Sequence, residues 1–209
     1  MDGRFLTAFI IPESWDVMGY KLKPFSLRHM MVLAALDSPF VGSRPPTCPE
    51  DVLVFLRVCS SEHPSQAFRK PTLRDRWRIL MMETRTEYFI EQVKAIFEYI
   101  ETCNSSPKVW TKPEEGNQAE KRRENIPGPL SLATTLMSKM NLSHEEAWNM
   151  TLGQTIWYLT AYAVSEGSDI RILTTQEEAK ASAEREALIA FQEQMLARIK
   201  GNKKPDVAT

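Results

Sequence analysis

Two helix starts eight residues apart, with a helix stop behind them, constrain this chain more than any other stretch. In Ser143–Gly167, SHEEAWNMTLGQTIWYLTAYAVSEG, Ser143 and Glu146 stand in the S-x-x-E relation of a capping box, and Thr151 with Gln154 repeats it. In such a box each side chain satisfies a backbone N–H that the first helical turn leaves without a partner. The spacing predicts two helices joined by a tight bend. On the second, Leu152, Ile156, Leu159 and Ala163 recur at helical spacing, and Trp157 and Tyr162 widen that apolar face. Gly167 can take the left-handed conformation that ends a helix. Nothing in the stretch is chemically reactive, so it reads as scaffold or contact surface.

With 209 residues and 43% hydrophobic side chains, the chain can bury a core and suits one domain, or a domain with an appendage. Its 26 basic and 27 acidic residues nearly cancel, which removes the long-range field that draws proteins to nucleic acid or anionic membranes. A partner must then be recognised locally, by shape and patches. Cys48, Cys59 and Cys103 are odd in number and widely spaced, which suggests neither a disulfide framework nor a zinc site and fits a reducing cytoplasm. The N-terminus carries no charged leader with a long apolar run, and no segment reaches the roughly 18 apolar residues of a membrane span.

Read in order, the chain predicts a mainly α, irregular multi-helix domain. Phe5–Ile11 is rich in strand formers and stopped by Pro12, and Tyr20-Lys-Leu-Lys alternates, which together allow a small N-terminal β-hairpin. Ser26 can cap a helix to about Leu36, with His29 in its first turn as an ordinary packing or surface histidine. Thr47 and Glu50 form another box, and Val52, Leu53, Phe55, Leu56 and Cys59 behind it read as core. From Thr72 to Cys103 the apolar face changes direction: Leu73, Trp77, Leu80 and Met81 define one side, then Phe89, Val93, Ile96, Phe97 and Ile100 nearly the opposite one. Either the helix breaks at Glu83-Thr-Arg-Thr, helped by a Thr84/Glu87 cap, or one helix passes between two neighbours. Glu83, Glu87 and Glu91 make an acidic ridge that reads as a solvated face.

Residues 104–128 lose all periodicity and hold three prolines, two glycines and nine charges, as a linker or long loop would. Ser131–Met140 follows as a short helix, and Asp169–Leu173 as a brief extended piece. Thr174 with Glu177, or Thr175 with Glu178, opens a charged helix to about Lys200, with a narrow seam of Leu188, Phe191, Met195 and Ile199. The organisation is thus an N-terminal helical part (1–103), the linker (104–128), a helical part packing on the first (129–173), a projecting or docked C-terminal helix (174–200) and a disordered tail (201–209).

No glycine-rich phosphate loop, H-E-x-x-H, G-x-S-x-G or EF-hand pattern occurs, and three histidines in separate segments make a poor catalytic site. The expectation is a non-enzyme without metal or cofactor. The bent helix pair could be a DNA-reading helix-turn-helix, but it has no Arg or Lys between residues 140 and 170 to anchor phosphates, so a DNA-binding regulator is the weaker alternative.

Three blocks carry a family resemblance: Pro24-Phe-Ser-Leu-Arg-His with Leu33 and Ser38-Pro-Phe; Asp51-Val-Leu with Val58-Cys-Ser; and Trp148-Asn-Met-Thr-Leu with Trp157-Tyr and Glu166-Gly. Together they resemble small helical proteins encoded among tailed-phage morphogenesis genes, some of them described as tail assembly chaperones. The similar blocks cover residues 24–60 and 143–167 and consist mainly of packing residues. The resemblance implies a non-catalytic protein of the host cytoplasm that binds the tape-measure protein during tail building, with no cofactor. A structural virion component would carry much the same blocks. A client-binding surface is expected on Trp148, Tyr158 and Tyr162 of the helix pair and on Leu188, Phe191 and Met195 of the C-terminal seam, because a long helical client needs an apolar face to accept it.

Overall fold

The computed structural model describes residues 3–10, 14–42, 44–61, 68–111, 126–174, 177, 179, 180 and 183. In chain order the elements are α1 (Gly3–Phe9), β1 (Trp15–Val17), β2 (Tyr20–Leu22), α2 (Leu27–Ala35), α3 (Pro49–Ser60), α4 (Leu73–Thr84) and α5 (Thr86–Cys103). They continue with β3 (Val109–Thr111), α6 (Gly128–Met140), α7 (His144–Asn149), α8 (Leu152–Ser165) and β4 (Ile170–Ile172). The protein is mainly helical with a small antiparallel hairpin near the N-terminus.

One strand of that hairpin is the expected one, Tyr20–Leu22 as β2, and the other is not. Phe5–Phe9 lies in α1, whereas β1 pairs with β2, Trp15 opposite Leu22 and Val17 opposite Tyr20. Its two turn residues, Met18 and Gly19, both have positive φ (55° and 71°), as a two-residue hairpin turn with the correct twist demands. The Gly19 N–H donates to the Asp16 carboxylate at 2.9 Å and closes the turn.

Two apolar clusters meet at α2. The first gathers Leu22, Phe25, Leu33, Phe55, Ile96 and Tyr99 from the hairpin, α2, α3 and α5. The second holds Leu27, Ala133, Leu136 and Ala147 from α2, α6 and α7, and Met30 packs against both. The Lys23 N–H donates to the Cys59 C=O at 3.0 Å within the first part, and the Leu27 N–H donates to the Met150 C=O at 2.9 Å, tying α2 to the second. The Tyr99 hydroxyl donates to the Lys23 carbonyl. Cys59 is fully buried in the first cluster, where burial pushes its thiol well above the ordinary value and leaves it inert.

Several local expectations are corrected. Cys48 rather than Thr47 is the N-cap of α3, with Pro49 as the first helical residue. The long segment does break, at Arg85 (φ −130°, ψ 89°), but Thr84 does not cap α5; its hydroxyl turns back to the Leu80 carbonyl at 2.7 Å. Residues 104–128 are not loop throughout, because Val109–Thr111 pairs with β4, Val109 opposite Ile172. The expected apolar side of α4 also faces outward. Asp75, Arg78 and Met82 point into the fold, whereas Leu73, Trp77 and Leu80 are exposed.

The physical reason for that inversion is a buried ion cluster. Asp75 accepts hydrogen bonds from the Thr72 hydroxyl and backbone N–H, each at 2.8 Å, and from the Tyr20 hydroxyl. Its carboxylate lies 3.4 Å from Arg57 of α3 and 3.5 Å from Arg78 one turn along α4. Arg78 stacks over the Tyr20 ring at 4.3 Å and donates to the Met18 carbonyl, while Arg57 also donates to the Arg69 carbonyl at 2.6 Å. Each charge has a counter-charge, and both guanidinium groups also donate to backbone carbonyls, which is the condition under which burying them is tolerable.

Candidate functional site

The helix pair forms as its caps demand. The Ser143 and Thr151 side chains accept from Glu146 N–H and Gln154 N–H, the reciprocal bonds of both boxes are present, and Gly167 (φ 82°) follows the end of α8. The buried side of α8 differs from the expected stripe. Gly153, Thr155, Trp157 and Thr160 are buried, and Leu152, Ile156, Leu159 and Ala163 only partly so. Elements flank α8 on more than one side: α1, α6 and β4 all touch it. Small residues therefore sit where neighbouring backbones come closest, and the larger ones straddle them.

One outcome is an apolar groove of about 470 Å³ between α1, α8 and β4, lined by Phe5, Phe9, Trp157, Tyr158, Ala161 and Ile172. Its aromatic walls interlock. Phe5 meets Phe9 at 4.6 Å and stands edge-on to Trp157 at 5.4 Å, and Phe9 meets Tyr158 edge-on at 5.6 Å. Such edge-to-face contacts fix ring orientation beyond what area burial alone does. The Arg4 guanidinium donates to the Leu173 carbonyl at 2.6 Å, tying α1 to the end of β4 and holding the two walls apart at a set width. Among the described residues no charged side chain lines the groove. Near it α1 leaves Leu6 and Ile10 in water, Ile10 at 72% exposure.

Of the residues expected on a client surface, Tyr158 is exposed and lies on the groove wall. Trp148 is not. It packs against the second apolar cluster from α7, with its ring 6.0 Å from His144. Tyr162 is half-buried on α8 and does not line the groove. Leu188, Phe191 and Met195 lie outside the described residues. Of the two alternative caps for their helix, Thr174 with Glu177 is formed, the Thr174 N–H donating to Glu177 at 2.9 Å. Sequence reasoning missed Phe5, Phe9 and Ile172. The signal for the first two was their i, i+4 spacing, which one helical turn stacks on one face.

A second cavity of about 210 Å³ at the start of α2 has a mixed lining, with Pro24 and Val58 beside Lys23, Ser26, Arg28, His29, Ser61 and Asn149. His29 is more than a packing residue: its Nδ1 accepts the Ser26 N–H at 3.2 Å, the role Glu or Gln plays in a capping box. Burial, reinforced by the Lys23 and Arg28 charges, lowers its pKa from 6.5 to about 4. Unfolded chains therefore bind a proton between those values that the folded protein refuses. Stability from this residue is complete above about pH 6.5, drains as pH falls to about 4, and levels off below. The loss is at most about 3 kcal/mol, less whatever screening a half-buried ring still receives. His29→Gln keeps the capping acceptor without the titration. Urea midpoints at neutral pH and at about pH 4.5 should then differ less for the variant than for the wild type. An equal drop in both would show that His29 does not carry the acid sensitivity.

Among the described residues no three His, Cys, Asp or Glu side chains gather as metal ligands would, and no helix is long and apolar enough to cross a membrane. The groove thus offers shape and apolar surface rather than reactive groups. No protein-family model, curated protein or solved structure matches this chain.

Proposed function

We propose that the protein is a non-catalytic binding protein whose α1–α8–β4 groove accepts the apolar face of an amphipathic helix from a partner, and that it serves as a tail assembly chaperone for a tape-measure protein. The observation that carries the binding half is the groove itself: aromatic walls, no lining charge among the described residues, and Tyr158 with its ring on the wall and 42% exposed. Helix-in-groove recognition needs that combination, because anchors at i, i+3 or i+4, and i+7 must be desolvated together. The identity of the client comes from the resemblance of the Pro24–Phe40, Asp51–Ser60 and Trp148–Gly167 blocks to phage morphogenesis proteins.

Co-expression with a phage tape-measure protein, followed by pull-down, tests both halves. Wild type should capture the client, and Tyr158→Asp should lower capture about tenfold or more by placing a charge in the groove. Val164→Asp, on the same helix at an exposed position that does not line the groove, should capture normally. Circular dichroism checks that each variant folds. Failure of wild type to capture the client would end the chaperone reading. Unchanged capture by Tyr158→Asp would remove the groove, and loss only on truncation after Thr174 would move recognition to the helix bearing Leu188, Phe191 and Met195. A virion component, by contrast, would remain in purified particles.

A further inference from the structure

Helix α4 wears its apolar side outward. Leu73, Trp77 and Leu80 are 84%, 62% and 52% exposed, although each is large and apolar. At i, i+4 and i+7 they form one continuous strip on the helix, which Thr84 extends by a further turn. Single apolar side chains in water are ordinary, but a row of them centred on tryptophan marks a contact surface. Nor is the row an accident of a loosely held helix. Asp75, Arg78 and their partners Arg57 and Tyr20 fix the rotation of α4 about its axis and so hold the strip away from the core.

Charges beside the strip narrow the choice of occupant. Arg76 and Glu83 both border it on the same edge, two turns apart, since at about 100° per residue their directions differ by only about 20°. Both are exposed, and neither has an ion-pair partner among the described residues. The opposite edge carries Arg74, whose guanidinium leans to the hairpin, near Gly19. An edge that is basic in one half and acidic in the other is self-complementary under a two-fold axis. In an antiparallel pair of copies like edges face each other, so that the N-terminal half of one helix lies beside the C-terminal half of the other. Trp77 of each copy then packs on Leu80 of the other, and Arg76 faces Glu83 twice. One helix supplies both halves of the pattern, which favours a second copy over an unrelated partner.

We propose that the chain self-associates as a two-fold dimer through an antiparallel α4–α4 contact centred on Trp77 and Leu80, with Arg76 and Glu83 paired across it. This surface is separate from the α1–α8–β4 groove, and the dimer neither requires the chaperone reading nor follows from it.

Sedimentation equilibrium of the full chain from ~1 to ~100 µM tests it. Wild type should pass from monomer to dimer over that range. Trp77→Glu should raise the dissociation constant roughly 30-fold or more, as loss of a central aromatic anchor does. Arg76→Glu alone sets like charges against each other and should also weaken association, whereas Arg76→Glu combined with Glu83→Arg should restore it. All these positions are exposed, so the variants should fold, which circular dichroism verifies. A wild type that stays monomeric throughout would overturn the proposal. So would a dimer indifferent to Trp77→Glu, or a double charge swap that fails to rescue the single one.

Discussion

Asp75→Asn is expected to cost the fold about 3 kcal/mol or more, although it changes a single atom of a small side chain. The side chain of Asp75 is 5% exposed, and those of Arg57 and Arg78 are 13% and 9% exposed. Removing the carboxylate charge leaves two largely buried guanidinium groups facing each other without a counterion. Coulomb repulsion then adds to desolvation that nothing offsets. Burial by itself works to raise the Asp75 pKa, but hydrogen bonds from Tyr20 and Thr72 and the Arg57 charge outweigh it and hold the group below its ordinary 3.8. A depressed acid contributes fully above its unfolded pKa. Its share is therefore complete at neutral pH and lost only as pH falls below about 3.8, beneath the window in which His29 acts. Urea unfolding at neutral pH should show a lower midpoint with an unchanged slope, and the variant should lose the wild-type pH dependence below 3.8. In an Arg78→Met background the same substitution should cost less, because one of the stranded cations is already gone. Equal cost in both backgrounds would mean that Arg78 and Asp75 are not coupled.

How far the sequence alone reaches depends on the range of the interaction. Capping boxes act across three residues, so both helix starts at Ser143 and Thr151 and the Thr174–Glu177 bonds could be read directly, although the same spacing at Thr47 and Thr84 forms no cap. The core side of α3 was legible from its apolar helical spacing, and Val52, Leu53, Phe55, Leu56 and Cys59 are all buried. The rotation of α4 was not. Its apolar periodicity is real, but the side that goes inward is chosen by Tyr20, Arg57 and Arg78 meeting Asp75, groups drawn from the hairpin, α3 and α4. Likewise, Phe5–Ile11 consists of residues that favour strands, and a seven-residue helix has little stability of its own. What makes α1 helical is tertiary: Phe5 on Trp157 and Phe9 on Tyr158. The groove was therefore half legible. Tyr158 could be placed on a contact surface from the pattern of α8, but the facing wall depends on contacts between residues about 150 positions apart.

Gly153→Ala should destabilise the protein by about 2–4 kcal/mol and distort the groove, against the ordinary expectation for a helix interior. Alanine in place of glycine usually gains up to about 1 kcal/mol there by restricting the unfolded chain. At this position a Cβ would stand 2.6 Å from the Ser105 carbonyl oxygen and 3.0 Å from that of Cys103. Both are backbone atoms at the end of α5, so no side-chain rotation relieves the overlap. α8 must move outward instead, and with it Trp157, one turn along, and Tyr158 beside it. At about 2–4 °C per kcal/mol for a chain of this size, thermal unfolding should fall by roughly 5–15 °C. Gly167→Ala provides the contrast: it has open space around it and a φ of 82°, so only left-handed strain of about 1 kcal/mol is expected. Client capture should weaken with Gly153→Ala and persist with Gly167→Ala, both measured below their unfolding temperatures. A Gly153→Ala protein as stable as wild type would show that α8 and the end of α5 do not approach this closely in solution.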